Sequence, residues 1–226
     1  MLPRREREIF ATLEKLKHRE FVLIGGYAVN AYTLPRFSVD CDIVVKDLEE
    51  AQKIGAILNS FEYAESKEKP VFSHAEFARY VKTLENGFRV SVDIMISSVT
   101  DRKMPAQFTA EWIFGHAKKQ SLKGKTITSA INLMVIERDA LIIMKCVSCR
   151  NTDIRDVFML LPRAKDVAWI REEIAKRCNF QECFARIKER IFSKKFRDEL
   201  QGVYGYIDEK LFEEHQKAVR ELGQHR

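Results

Sequence analysis

The chain has 226 residues, a mass of 26.4 kDa and a formal net charge of +6, with 46% hydrophobic and 32% charged residues. That hydrophobic content excludes a disordered chain, and a chain of this size buries enough surface to fold without disulfide or metal. The mild basic excess permits an anionic partner without requiring one. Phe21 to Pro35, the longest nearly uncharged stretch, is too short for a membrane span. The N-terminal Arg4-Arg5-Glu6-Arg7-Glu8 mixes bases with acids and leads into no apolar core of a secretory signal. With five cysteines, an odd number, the expectation is a cytoplasmic protein with reduced thiols and no membrane partner.

In chain order, Ile9, Phe10, Leu13 and Leu16 have the spacing of an amphipathic helix over 4–17. Phe21 to Ile24 is an apolar run stopped by Gly25-Gly26, which predicts a short buried strand. A short helix is predicted over 27–33, ended near Pro35. Cys41 to Val45 predicts a strand and Leu48 to Leu58 a helix. Phe77 to Thr83 and Phe88 to Ile96 flank Glu85-Asn86-Gly87, a hairpin signal. A short helix is expected around Trp112 and a strand within 126–136.

From Arg138 the pattern turns helical, with segments at 140–147, 157–161, 167–175, 184–192 and 211–222, broken by Pro162 and by Gly202 to Gly205. The expectation is therefore a mixed α/β domain over 1–134 and a helical domain over 135–226. Acids dominate residues 40–68, and bases dominate 102–125 and 171–197. If these basic stretches flank the acidic one, they would favour a polyanion.

The chemistry concentrates between residues 25 and 93. A strand running into Gly25-Gly26 and then a helix offers free backbone amides to an anion, and glycine allows close approach. Asp40 and Asp42, at i and i+2 of a strand, point to one face, and Cys41 faces the other way. Paired carboxylates repel unless a cation lies between them, and Mg²⁺ suits such hard oxygen ligands together with substrate phosphates. Asp93 sits in the apolar strand Val90-Ser-Val-Asp-Ile, where an unpaired acid is costly. If that strand neighbours the Asp40 strand, the three acids form one cluster able to hold two metals for nucleotidyl transfer.

Gly25-Gly26, thirteen intervening residues and then Asp40-Cys41-Asp42 in apolar flanks resemble the signature of the DNA-polymerase-β-like nucleotidyltransferase superfamily. Lys145-Cys-Val-Ser-Cys-Arg150 with Asp153 and Asp156 resembles the helical segment of its AbiEii-like, toxin-type branch. The resemblance spans roughly 20–160 and implies a mixed sheet with flanking helices, a two-metal Mg²⁺ site and transfer of NMP from an NTP to an acceptor. Within that branch the acceptor is often the 3′ end of tRNA, and an antitoxin protein is a possible partner.

Carried over by position, Asp40, Asp42 and Asp93 would hold metal, with Asp93 also a candidate base. Gly25, Gly26, Arg36, Ser38 and Lys145 would contact the NTP, and Asp153 would be a catalytic acid or base. Two departures stand out: the usual Gly-Ser is Gly25-Gly26, and the usual Thr before the acids is Ser38. Two other readings stay open. One is a small-molecule nucleotidyltransferase acting on an aminoglycoside-like acceptor. The other is a catalytically silent member that binds nucleotide or protein.

Asp153 and Asp156 could alternatively pair with Arg150 and Arg155 on a helix surface. Cys146, Cys149, Cys178 and Cys183 are the residue types of a zinc site, but the first pair falls inside a predicted helix without a glycine knuckle. Buried free thiols are therefore expected. Lys123-Gly124-Lys125-Thr126 ends like a P-loop, yet the glycine such a loop needs at 119 is Lys119.

Overall fold

The computed structural model describes residues 2–66, 76–100 and 106–224. The first four residues of the basic stretch 102–125 lie outside them. The chain divides into two compact units, one spanning Met1–Thr100 and Gln107–Glu137, the other including Arg138–Arg226.

The first unit opens with α1 (Leu2–Leu16), whose Ile9, Phe10, Leu13 and Leu16 face the core. Then come β1 (Val22–Leu23), α2 (Gly25–Val29), β2 (Asp40–Val45), α3 (Leu48–Ser60) and β3 (Ala64–Glu65). They are followed by β4 (Phe77–Thr83), β5 (Arg89–Ile96), β6 (Ser98–Thr100), β7 (Gln107–Thr109), α4 (Ala110–Gly115), β8 (Ala117–Leu122) and β9 (Ile131–Ile136). Seven strands form a mixed sheet in the order β3-β4-β5-β2-β1-β9-β8. β2 runs parallel to β5, and β1 runs parallel to β9. The central strands β1, β2, β5 and β9 carry the apolar runs, as expected for strands covered on both faces. Asp47 caps α3 by accepting from the Glu50 amide at 2.8 Å, which starts the helix directly after the β2 strand.

The expected hairpin around Glu85-Asn86-Gly87 forms, with β4 antiparallel to β5. Thr83 pairs with Arg89 and the connection is a 3₁₀ turn over Glu85–Gly87, closed by the Leu84 amide donating to the Phe88 carbonyl. β8, with the sequence Ala-Lys-Lys-Gln-Ser-Leu, has no apolar run to announce it. It lies at the sheet edge, where lysines are the expected protection against edge pairing. The Lys123 to Thr126 stretch is filled from within: Glu6, 1% exposed, accepts from the Lys125 amide at 2.6 Å, the Thr126 amide at 2.8 Å and the Thr126 hydroxyl at 2.6 Å. The amides of Lys125 and Thr126 thus cradle the protein's own carboxylate.

The second unit holds α5 (Arg138–Ser148), α6 (Asn151–Leu160), α7 (Val167–Ala175), α8 (Phe180–Ile191), α9 (Phe196–Tyr204) and α10 (Glu209–Gly223). Phe158 sits at its centre, with ring centroids of Phe196, Phe212 and His215 within 5.1–5.2 Å. The break expected over Gly202 to Gly205 falls at its far end: α9 continues through Gly202 and stops at Gly205. Cys41, Cys146, Cys149, Cys178 and Cys183 are all free thiols. Cys178 and Cys183 lie with their sulfurs 3.0 Å apart. No helix among the described residues is long and apolar enough to cross a membrane.

Candidate active site

The parallel pairing of β2 with β5 sets Asp42 directly opposite Asp93 and Asp40 opposite Ser91. The antiparallel pairing of β4 with β5 sets Arg79 opposite Asp93. Directly paired residues share a face of the sheet. Arg79, Asp93 and Asp42 therefore form a row across three neighbouring strands, with Asp40 one step along the same face. Asp40 is exposed, Asp42 is half-buried and Asp93 is only 4% exposed. Cys41, between the first two acids, is fully buried on the other side, where burial and then the charges of Asp42, Asp93 and Asp40 push its thiol well above the ordinary range.

Two of the acids have a hydrogen-bonding neighbour on the next strand. The Ser91 hydroxyl donates to Asp40 Oδ1 at 2.6 Å. Arg79 donates to Asp93 through Nε at 2.9 Å and Nη2 at 2.5 Å, a bidentate pair. The Arg79 guanidinium is held above its ordinary range chiefly by that hydrogen bonding, with Asp93, Asp40 and Asp42 all adding charge attraction. It therefore lies in the field of all three carboxylates. Arg79 and Ser91 were not among the expected site residues. The hairpin contained the signal: counting back along an antiparallel ladder from the Thr83–Arg89 pair puts Arg79 opposite Asp93.

The diglycine meets the acids from the side. The Ile24 amide donates to the Asp42 carbonyl at 3.0 Å, which brings the following glycines against the β2 strand. Gly25 has φ +65°, and a Cβ there would stand 2.0 Å from Asp42 Oδ2. A Cβ on Gly26 would stand 2.4 Å from Ser38 Oγ and 3.3 Å from Arg36 Nη2. Both glycines bring the backbone close to these side chains, and Gly25 also adopts the left-handed φ that favours glycine.

The loop carrying Arg36 and Ser38 is tied to α2. Asn30 accepts from the Arg36 amide at 3.0 Å and donates to the Arg36 carbonyl at 2.8 Å, and Tyr27 donates to the Ser38 carbonyl at 3.2 Å. Gly25, Gly26, Arg36 and Ser38 thus converge beside Asp40 and Asp42. The helix differs from the expectation over 27–33. It starts on the glycines and lasts five residues, so the backbone amides and the two side chains, more than a helix dipole, define any anion site there.

Lys145 and Asp153 come together within the second unit. Lys145 Nζ lies 2.7 Å from Asp153 Oδ1 and 3.0 Å from Asp156 Oδ2, with the lysine side chain 11% exposed and Asp156 fully buried. Asp153 also accepts from the Arg150 amide at 3.3 Å, closing the first turn of α6. The expected surface position of Asp156 is thereby corrected, since it is fully buried beside Lys145, whereas Asp153 does lie 3.8 Å from Arg150 Nε.

Asp40 and Asp42 have the hard-oxygen chemistry that a divalent cation such as Mg²⁺ needs. Asp93 does not fit that role as it stands, because both its oxygens are engaged by Arg79. Among the described residues no group of three His, Cys, Asp or Glu side chains is arranged to hold a metal ion, and that includes the four cysteines of the second unit.

No protein-family model matches the chain, and no curated protein does so. Solved structures do match. A candidate nucleotidyltransferase from Helicobacter pylori matches at 16% identity and a TM-score of 0.50, over 98% of this chain and 94% of that one. An antigenic nucleotidyltransferase-like protein from Paracoccidioides brasiliensis matches at 16% identity and a TM-score of 0.49, over 88% and 90%. At this identity the likeness is one of fold. The chain has the mixed-sheet fold of the Helicobacter protein, with the seven strands and flanking helices described above.

Proposed function

We propose that this chain is a Mg²⁺-dependent nucleotidyltransferase of the AbiEii-like, toxin type, with residues 1–134 as its transfer domain and 135–226 as a helical domain. It would work in the cytoplasm, move NMP from an NTP to an acceptor hydroxyl, the 3′ end of tRNA being the acceptor we favour, and have an antitoxin protein as a further partner. The observation that carries the reading is the placement of Asp42 in register with Asp93 while its Oδ2 packs against Gly25. A carboxylate row and a close-approach backbone turn in one place suit a metal-bound triphosphate.

In this reading Asp40 and Asp42 would hold the cation, which when bound would lower the pKa of the attacking hydroxyl and steady the leaving phosphates. The amides around Gly25 and Gly26, the Ser38 hydroxyl and the Arg36 guanidinium bind the triphosphate. Asp93 completes the carboxylate set and accepts the proton of the acceptor hydroxyl. The acceptor oxygen forms a bond to the α-phosphorus as the bond to the bridging β-phosphate oxygen breaks, and pyrophosphate leaves with that electron pair. Lys145 as a triphosphate contact and Asp153 as an acid or base follow from the resemblance alone, and each role requires their mutual ion pair to open.

The acceptor is found by offering labelled NTPs and Mg²⁺ with total tRNA in one arm and an aminoglycoside panel in the other. Label on tRNA, with RNA affinity falling steeply as salt rises, is the expected result. Label only on the small molecules, with salt-insensitive RNA binding, selects a small-molecule nucleotidyltransferase. One observation favours a catalytically silent nucleotide binder, namely the engagement of Asp93 by Arg79. That alternative predicts a melting temperature raised by NTP with no transfer to any acceptor.

A further inference from the structure

Two of the carboxylates have partners of different kinds: Asp40 accepts from a neutral hydroxyl, and Asp93 is held by a full positive charge through two hydrogen bonds. Arg79 reaches Asp93 from the neighbouring strand, its side chain is 29% exposed, and it lies in the field of Asp40 and Asp42 as well. The guanidinium thus holds Asp93 from the β4 side, opposite Asp42, and supplies a positive charge to the acid that would complete the set.

We infer that Arg79 and a divalent cation are alternative partners of Asp93, so that the three-carboxylate set becomes complete only when Arg79 lets go. The inference rests on the nucleotidyltransferase reading of Asp40 and Asp42. Its physical basis is competition. A cation that uses Asp93 must break a bidentate, charge-assisted pair, so its affinity is reduced by the strength of that pair. A triphosphate bound beside Gly25 offers the released guanidinium a new anion. Nucleotide therefore makes the exchange easier, and by linkage the cation makes nucleotide binding tighter.

Mn²⁺ binding to the full chain, measured by electron paramagnetic resonance, tests this without reference to activity. Arg79→Met should bind Mn²⁺ about tenfold or more tighter than wild type, the order expected from losing a charge-assisted competitor. A non-hydrolysable NTP analogue should strengthen Mn²⁺ binding to wild type markedly and to Arg79→Met little. Arg79→Lys, which keeps the charge without the fork, should fall between the two.

A measurement on wild type covers the case in which the variants fold poorly. The Arg79 side-chain Nε–H resonance, protected by Asp93, should shift and lose protection when Mg²⁺ and the analogue are added. Equal or weaker Mn²⁺ binding by Arg79→Met, or an Nε–H resonance untouched by Mg²⁺ and analogue, overturns the inference while leaving the nucleotidyltransferase reading standing. Absence of Mn²⁺ binding in every form, or binding unchanged by Asp42→Asn, overturns both.

Discussion

Asp42 and Gly25 show how one residue constrains another. The carboxylate fills the space a side chain at 25 would need, and the backbone at 25 is left-handed. Gly25→Ala therefore meets both strain and collision. Gly87 supplies the control, since its φ is +76° but nothing lies within 4 Å of a Cβ there. Gly87→Ala should cost about 1 kcal/mol from backbone strain alone. Gly25→Ala should cost clearly more and also weaken nucleotide binding, as read by urea unfolding and by nucleotide titration. Equal losses for the two variants would show that the packing of Asp42 on the turn is unimportant. The three acids, Gly25 and Gly26 were legible in the sequence because carboxylates in apolar strands and paired glycines are conspicuous. Arg79 was not, because an arginine in the alternating strand Phe-Ala-Arg-Tyr-Val looks like any solvent-facing charge until the hairpin register is known.

Among the elements, α5 and α6 are tied by Lys145 with Asp153 and Asp156. Removing the lysine takes the nearest cation from two buried acids, so Lys145→Met should lower stability by up to about 3–5 kcal/mol. Adding Asp153→Asn and Asp156→Asn to that variant should recover much of the loss in denaturant unfolding. A single variant as stable as wild type would mean that the triad does not hold the helices together. The sequence showed that a charge in the run Ala140-Leu-Ile-Ile-Met-Lys needed a reason, but the reason lies in packing between helices. Strands and helices with clear apolar periodicity were readable, namely α1, β2, α3, β4, β5 and α7. β8 and α9 were missed for opposite causes. The first is a lysine-rich edge strand whose partner β9 supplies its order, and the second is a helix that tolerates Gly202 in its last turn.

For the molecule as a whole, pH and charge give the broadest tests. His215 is buried against Phe158, and its Nδ1–H donates to the Phe158 carbonyl at 2.9 Å. Burial, the largest influence, holds its pKa below the ordinary value of 6.5, although the Phe158 hydrogen bond and Glu214 oppose that shift. The unfolded chain thus binds more protons than the folded one between the lowered value and 6.5. The stability tied to neutral His215 is complete above 6.5 and is lost as pH falls through that window. Comparing unfolding of wild type with His215→Gln between pH 7.5 and 5 should show a steeper acid loss in wild type. Parallel curves would contradict this.

The net charge of +6 conceals an acidic stretch, 40–68, that carries Asp40 and Asp42, and two basic stretches, 102–125 and 171–197, further along the chain. The decisive measurement is transfer from α-labelled NTPs, with Mg²⁺ and total tRNA, by wild type and Asp42→Asn side by side. The account predicts label on RNA with wild type and a loss of at least about a hundredfold with Asp42→Asn, as for a lost metal ligand. Equal labelling by the two proteins, or no transfer by wild type to any acceptor, would contradict it.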